Sequence, residues 1–88
     1  MSNQVQTQDI EMLFASKVSG DYVTGYKLAK ITNEVLDHLG VKQIPAQMIY
    51  NYISKKLIAS VVIDDQRVVS KDAAQQWVVK YITKKQAV

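Results

Sequence analysis

The most informative stretch of the chain is residues 24–56, with the sequence TGYKLAKITNEVLDHLGVKQIPAQMIYNYISKK. Its first half carries a mostly apolar set at the spacing i, i+3, i+4, i+7, i+8 and i+11: Leu28, Ile31, Thr32, Val35, Leu36 and Leu39. At about 100° per residue this set covers an arc of roughly 140°, which predicts a helix packed on one face. Thr24 is a suitable N-cap, and Gly40 suits the left-handed position that follows a helix end.

The second half of this stretch predicts another helix, over about residues 45–56. Pro45 has no backbone N–H to donate and therefore suits the first turn of a helix. The apolar side of this helix contains Ala46, Ile49, Tyr52 and Ile53. The opposite arc, of about 140°, contains Gln47, Tyr50, Asn51, Ser54 and Lys55. Only residues 40–44 separate the two helices, so the pair has the organisation of a helix-turn-helix.

The flanking sequence predicts two further helices and a hairpin. Residues 61–63 and 68–69 are β-branched and predict two short strands joined by the polar turn Asp64-Asp65-Gln66. Ser70 can cap a last helix, whose apolar face contains Ala73, Ala74, Trp77, Val78, Tyr81 and Ile82. Upstream, Thr7 can cap a first helix over about residues 8–18, with an apolar stripe of Ile10, Leu13, Phe14 and Val18. The order of elements is that of a helix-turn-helix followed by a wing.

Several of these residues resemble the winged helix-turn-helix of the excisionase and MerR-like DNA-binding family, over roughly residues 23–79. That family has a capped, alanine-containing first helix, similar to Val23-Thr24 and Leu28-Ala29-Lys30 here. Its second helix has an aliphatic-tyrosine pair and a second aliphatic residue, and the wing is followed by a capped helix with an alanine and a tryptophan. The remaining matching positions are Ile49, Tyr50, Ile53, Ile58, Ser70, Ala73 and Trp77.

The resemblance implies a mainly α fold with a small β-hairpin, a winged helix-turn-helix with an extra N-terminal helix. The predicted organisation is a disordered tail over residues 1–7, an N-terminal helix over 8–20 and the winged domain over 21–86. The chain departs from the family at three places. The first helix and its turn are longer than the family's usual compact version, so the angle between the two helices is expected to differ. Lys56 stands where the family usually has a glycine. The helix predicted over about residues 45–56, which corresponds to the family's DNA-recognition helix, is therefore expected to end by a different cap or to continue further. The wing tip carries Asp64 and Asp65, which phosphate repels.

Composition limits the class of function. Eighty-eight residues make one domain, and a chain of this length buries only about 60–65 % of its unfolded surface, which leaves no deep substrate cleft. The apolar share is 48 % and the charged share 22 %, as in an ordinary folded domain. There is no cysteine, and one histidine, His38, cannot assemble a zinc or catalytic site. We therefore expect no enzyme, no cofactor, no metal and no small-molecule substrate, and a cytoplasmic protein without a membrane span.

The net charge of +3 favours an anionic partner, and the polar arc of the second helix has the chemistry to read double-stranded DNA. Gln and Asn pair with adenine edges, Ser and Lys contact bases or phosphate, and Tyr contacts phosphate or a thymine methyl group. The predicted major-groove contacts are Gln47, Tyr50, Asn51, Ser54 and Lys55. The predicted phosphate contacts are Lys27, Lys30, Lys56 and Arg67. This chemistry suits a small transcriptional regulator or a recombination accessory factor.

Two alternatives stay open at this point. The same fold can serve as a protein-interaction module without DNA binding, with the acidic wing tip meeting another protein. The second alternative is that the polar arc and the lysines bind nothing, since any exposed helix face is polar and scattered lysines are commonly solvated surface.

A homodimer is also predicted, because Val79 falls outside the apolar face of the last helix and the first helix adds apolar surface.

Overall fold

The computed structural model describes residues 7–86. In chain order the elements are α1 (Thr7–Lys17), β1 (Tyr22–Thr24), α2 (Gly25–His38), α3 (Ala46–Ser54), β2 (Val61–Ile63), β3 (Gln66–Ser70) and α4 (Lys71–Gln86). The protein is mainly helical with a small antiparallel sheet, which confirms the coarse prediction. The tail predicted over residues 1–7 lies outside the described residues except for Thr7, which begins α1 instead of capping it.

Helix α2 is bounded by the residues that the sequence indicated. The Thr24 hydroxyl accepts a hydrogen bond from the backbone N–H of Lys27 at 3.1 Å, which satisfies a free donor of the first turn. At the other end Gly40 has φ +72°. The N–H of Val41 donates to the carbonyl of Leu36 at 2.8 Å, and that of Gly40 donates to Asp37 at 3.1 Å. These two bonds make a Schellman motif, which satisfies the carbonyls left free at the helix end.

The turn between α2 and α3 is held by one side chain of α2. Asn33 Nδ2 donates to the carbonyl of Ile44 at 2.8 Å, and the N–H of Ile44 donates to Asn33 Oδ1 at 2.8 Å. Ile44 is also buried in the core. The side-chain amide therefore pairs with both backbone polar groups of Ile44 and holds the turn next to Pro45, the N-cap of α3.

Helix α3 is shorter than the predicted 45–56. Pro45 has ψ 147°, so it is extended and precedes the helix instead of forming its first turn. Lys55 is the C-cap, and Lys56 has φ +61°. The N–H groups of Lys56 and Leu57 donate to Ile53 and Tyr52, at 3.1 Å and 2.8 Å. The helix thus ends in the same Schellman motif as α2, with a lysine in the position that glycine usually takes.

The sheet has three strands in the order β1-β3-β2, whereas the sequence predicted only the β2–β3 hairpin. In the additional pairing, Val23 lies opposite Val69 and both are buried. Strand β1 has three residues, too few for an alternating pattern to appear in sequence, and it exists because β3 supplies its partner. In the hairpin, Asp64 and Asp65 have φ +53° and +63°, as in the two-residue type I′ turn.

Within residues 7–86 one hydrophobic core joins the four helices and the sheet. Its fully buried members include Ile10 and Phe14 of α1, so the first helix is part of this core. Val79, predicted to lie outside the apolar face of α4, is half-buried and packs against the core. His38, the last residue of α2, is exposed. Helix α4 is capped as predicted, with the Ala73 N–H donating to Ser70 Oγ at 3.2 Å. None of the helices described in residues 7–86 is long and apolar enough to span a membrane.

Candidate nucleic-acid interface

Helix α3 presents one side to the core and the other to solvent. Ile49 and Ile53 are buried, which orients the helix. All five residues predicted to read a groove are exposed: Gln47, Tyr50, Asn51, Ser54 and Lys55. We call these five residues the α3 face. The described N-terminal helix does not cover them, because α1 packs against α2 and α4.

Two amides of the α3 face are joined. Gln47 Nε2 donates to Asn51 Oδ1 at 3.1 Å, the geometry expected for side chains one turn apart. This bond does not use the Gln47 carbonyl oxygen or the Asn51 amino group, which are one acceptor and one donor. The major-groove edge of adenine offers the opposite set, the N6 donor and the N7 acceptor. Each kind of group on this edge of adenine therefore has a chemical counterpart in the amide pair.

On the sheet side the α3 face borders a shallow depression of about 250 Å³, lined by Gly25, Tyr50, Ile53, Ser54 and Arg67. A Cβ atom at Gly25 would lie 2.9 Å from Tyr50 Cε1, so the glycine allows the tyrosine ring to lie against the start of α2. Arg67 Nη1 donates to Ser60 Oγ at 3.0 Å, which restrains the guanidinium beside this depression. The predicted residues Tyr50, Ser54 and Arg67 are thus brought together.

Lys55 and Lys56 lie at the C-terminal end of α3, and both are exposed. Because α3 ends at Ser54, Lys55 is the last residue of its exposed face, and Lys56 does not continue that face as the predicted helix to residue 56 required. Lys55 is the C-cap, and the chain reverses direction at Lys56, where φ is positive. Their ammonium groups stand where the dipole of α3 is negative, which is a favourable place for cations.

Lys27 and Lys30 are exposed but belong to a different depression. It has a volume of about 450 Å³ and is lined by residues of α1, α2, the sheet and the α1–β1 loop, with none from α3. Lys17 also lines it and pairs with Glu34 at 3.5 Å between Lys17 Nζ and Glu34 Oε2. The two predicted phosphate contacts are therefore grouped with a third lysine and a carboxylate instead of with Tyr50, Ser54 and Arg67.

Two further cations, which the sequence did not predict as DNA contacts, lie on the α4 side of α3. Lys84 and Lys85 line a groove together with Met48, Tyr52 and Tyr81. In sequence they appear only as basic residues near a helix end, where the helix dipole already explains them. The approach of α4 to α3 is a tertiary contact, so no local pattern reveals it.

The wing tip is acidic and exposed, as the sequence indicated. Asp64 and Asp65 occupy the turn of the β2–β3 hairpin, and both have a positive φ. Strand β2 lies at the edge of the sheet, and its residues Val61, Val62 and Ile63 are all exposed. The wing thus combines two carboxylates at its tip with an apolar edge, and Arg67 of β3 lies opposite Val62.

Within residues 7–86 no group of three or more His, Cys, Asp or Glu side chains is placed to hold a metal ion. His38 borders a shallow depression with Asp9 and Ser16 between α1 and α2. Comparison of the chain with protein families, with curated proteins and with solved structures finds no match.

Proposed function

We propose that this protein is a winged helix-turn-helix module that reads double-stranded DNA, with α3 in the major groove. The observation that carries the proposal is the α3 face, an exposed side of α3 on which two amides are ordered by a hydrogen bond. A helix of 10–12 Å diameter fits a major groove about 12 Å wide. A small transcriptional regulator or a recombination accessory factor, acting in the cytoplasm, fits such a module.

The order of the elements supports a winged helix-turn-helix. Helices α2 and α3 follow each other through a short turn clamped by Asn33, and the β2–β3 hairpin comes directly after α3 in the position of a wing. The additional strand β1 connects α1 to the start of α2 and pairs with the hairpin. The wing is therefore attached to the helix pair on both sides, and α3 has a fixed orientation relative to it.

The chemistry of the α3 face supports base reading. The joined amides of Gln47 and Asn51 match an adenine edge, and Tyr50 and Ser54 lie beside them toward the sheet. Lys55, Lys56 and Arg67 then contribute positive charge next to these residues for phosphate contacts. Asp64 and Asp65 direct the wing tip away from phosphate, so the contacts are made mainly through the helices.

The decisive experiment compares two double variants on DNA. Duplexes are first selected from a randomised pool with the wild-type protein, and affinity for a selected and a scrambled duplex is then measured at two salt concentrations. Asn51→Ala with Lys55→Ala removes an amide and a cation from the α3 face. We expect it to lower affinity for the selected duplex by about ten- to hundredfold and to abolish the preference over the scrambled duplex.

The matched control is Gln76→Ala with Lys80→Ala, which removes an amide and a cation from exposed positions of α4. It should bind both duplexes like the wild type. Three outcomes contradict the proposal. Both double variants lose the same affinity, or the α3 variant binds like the wild type, or the wild type binds no duplex. The affinity of the wild type for DNA should fall steeply as salt rises, because binding through phosphate contacts depends strongly on salt.

The second candidate function is a protein-interaction module on the same scaffold, and one observation favours it. Strand β2 is an unpaired sheet edge made of Val61, Val62 and Ile63, all exposed, beside an acidic tip. Such an edge can accept a further strand from another chain. This candidate predicts that random and selected duplexes are both ignored and that partner binding changes little with salt.

A homodimer is compatible with either function. Two copies on DNA would place two α3 faces at half-sites about 34 Å apart, which raises affinity over that of one small face. Val79 packs against the core, and Ile10 and Phe14 of α1 are buried in it, so the exposed edge of β2 is the better candidate for the contact. Sedimentation of the protein with a selected duplex gives the stoichiometry, and a single copy per site excludes the dimer.

A further inference from the structure

A groove runs between α3 and α4, on the side of α3 away from the sheet. It has a volume of about 330 Å³, and its lining is Met48, Tyr52, Tyr81, Lys84 and Lys85. We call it the α3–α4 groove. Its lining contains two cations and no carboxylate, whereas the depression around Lys27 contains Glu34. The groove therefore favours an anionic occupant.

The floor of the groove is fixed by aromatic packing. The Tyr81 ring stacks on Trp77, with the ring centroids 5.3 Å apart and the planes at 20°. Tyr52 meets Trp77 edge-on, with the ring centroids 5.6 Å apart. Three aromatic side chains from α3 and α4 are thus in contact, and such contacts stabilise the arrangement beyond the burial of the rings.

One cation is held over this floor. Lys85 Nζ lies 5.6 Å from the centroid of the Tyr81 ring, within the range of a cation–π contact. Lys85 is otherwise exposed, near the end of α4. The ring therefore restricts the ammonium to the groove without neutralising it, and the charge stays available for an anion.

The groove borders the α3 face. At 100° per residue, Met48 and Tyr52 follow Asn51 and Lys55 around α3, so the groove begins where the α3 face ends. On the opposite border stands Arg67, beside Tyr50 and Ser54. The α3 face thus has a cation from the sheet on one side and two cations from α4 on the other.

We propose that the α3–α4 groove binds the sugar-phosphate backbone of the duplex that α3 reads, on the side opposite Arg67. This inference rests on the proposed function. A helix in a major groove lies between the two phosphate backbones, so residues that flank it on both sides reach phosphates. Lys84 and Lys85 hold the phosphates as point charges, and the apolar floor of Met48 and Tyr81 receives the deoxyribose carbons.

The test measures how binding of the selected duplex depends on salt. Each phosphate contact contributes about 0.9 to the slope of log K against log salt, so Lys84→Gln with Lys85→Gln should lower the slope by about 1.8. Lys85→Arg keeps the charge and should retain the wild-type slope. Lys80→Gln is the matched control, because Lys80 lies on the same helix and shares another depression with Lys84 but does not line the α3–α4 groove, and its slope should not change.

The tryptophan provides the control for folding. Trp77 fluorescence and the thermal unfolding curve should be the same in the double variant and the wild type, because Lys84 and Lys85 are exposed and outside the core. If the double variant fails this control, Lys85→Gln alone is used, with an expected slope decrease of about 0.9.

The possible failures are distinguishable. If the double variant keeps the wild-type slope while the Asn51→Ala, Lys55→Ala protein loses the selected duplex, the groove proposal is overturned and the proposed function stands. If Lys80→Gln lowers the slope as much as Lys85→Gln, the effect is one of net charge and the groove proposal is again overturned. If the wild type binds no duplex, both proposals fail, and an acidic protein segment becomes the occupant to examine.

Discussion

Helices α2 and α3 end in the same backbone motif, but the residue in the left-handed position differs. At the end of α2 that residue is Gly40, with φ +72°, and at the end of α3 it is Lys56, with φ +61°. The two closing hydrogen bonds have the same lengths at both ends, 2.8 Å and 3.1 Å. The hydrogen-bond pattern is thus independent of the side chain that occupies the turn.

The free energy needed to place a residue in the left-handed conformation differs between the two helix ends. A side chain with a Cβ atom costs about 1–2 kcal/mol in the left-handed region, and glycine has no such cost. The residue that follows also differs, since Val41 is half-buried against the core whereas Leu57 is 64 % exposed. The end of α2 therefore has no left-handed strain and is packed against the core. The end of α3 carries backbone strain at Lys56, next to the residues proposed to contact DNA. Such strain is commonly retained where a side chain serves binding.

The largest expected effect concerns the turn that follows the α2 end. Asn33→Ala removes both hydrogen bonds to Ile44 and leaves a half-buried backbone N–H and carbonyl without partners. We expect a loss of about 2–3 kcal/mol in the free energy of unfolding. Urea unfolding measures it, with Asn51→Ala as the control, because that exposed amide should change stability by less than about 0.5 kcal/mol. A loss as small as that of the control means that the amide does not hold the turn.

The next effect tests the glycine itself. A Cβ atom at Gly40 would have nothing within 4 Å, so Gly40→Ala changes only the backbone preference. We expect a loss of about 1–2 kcal/mol. Gly40→Asn should lose less, because asparagine adopts the left-handed conformation more readily. Equal stability of the glycine and alanine proteins in urea is incompatible with the strain difference between the two helix ends.

The smallest effect is a gain in stability at the α3 end. Lys56→Gly relieves the strain and should raise the free energy of unfolding by about 0.5–1 kcal/mol, since the greater freedom of glycine in the unfolded chain offsets part of the benefit. Lys55→Gly is the control: Lys55 has φ −85°, so glycine there should bring no gain. If Lys56 also contacts phosphate, its replacement lowers the salt slope of DNA binding by about 0.9 while stability rises. Unchanged or lower stability means that the end is not strained.

Local patterns were sufficient for much of the fold and for the α3 face. The stripe from Leu28 to Leu39 predicted α2, and Thr24, Gly40 and Ser70 cap helices as expected, because a cap depends only on neighbours in the chain. The exposure of the five residues of the α3 face followed from the helical period. The end of α3 was misplaced, because Lys56 adopts a conformation that its residue type disfavours.

The sequence by itself determined the four helices, the hairpin and the polar side of α3, since periodicity, caps and turn residues act within a few positions of one another. Only the tertiary structure decided the pairing of β1 with β3, the clamp from Asn33 to Ile44, and which cations lie beside the α3 face. Lys84 and Lys85 were joined to that face, and Lys27 and Lys30 were placed in a separate depression. The physical reason is that these contacts join residues distant in the chain, whose proximity depends on how the helices pack around one core.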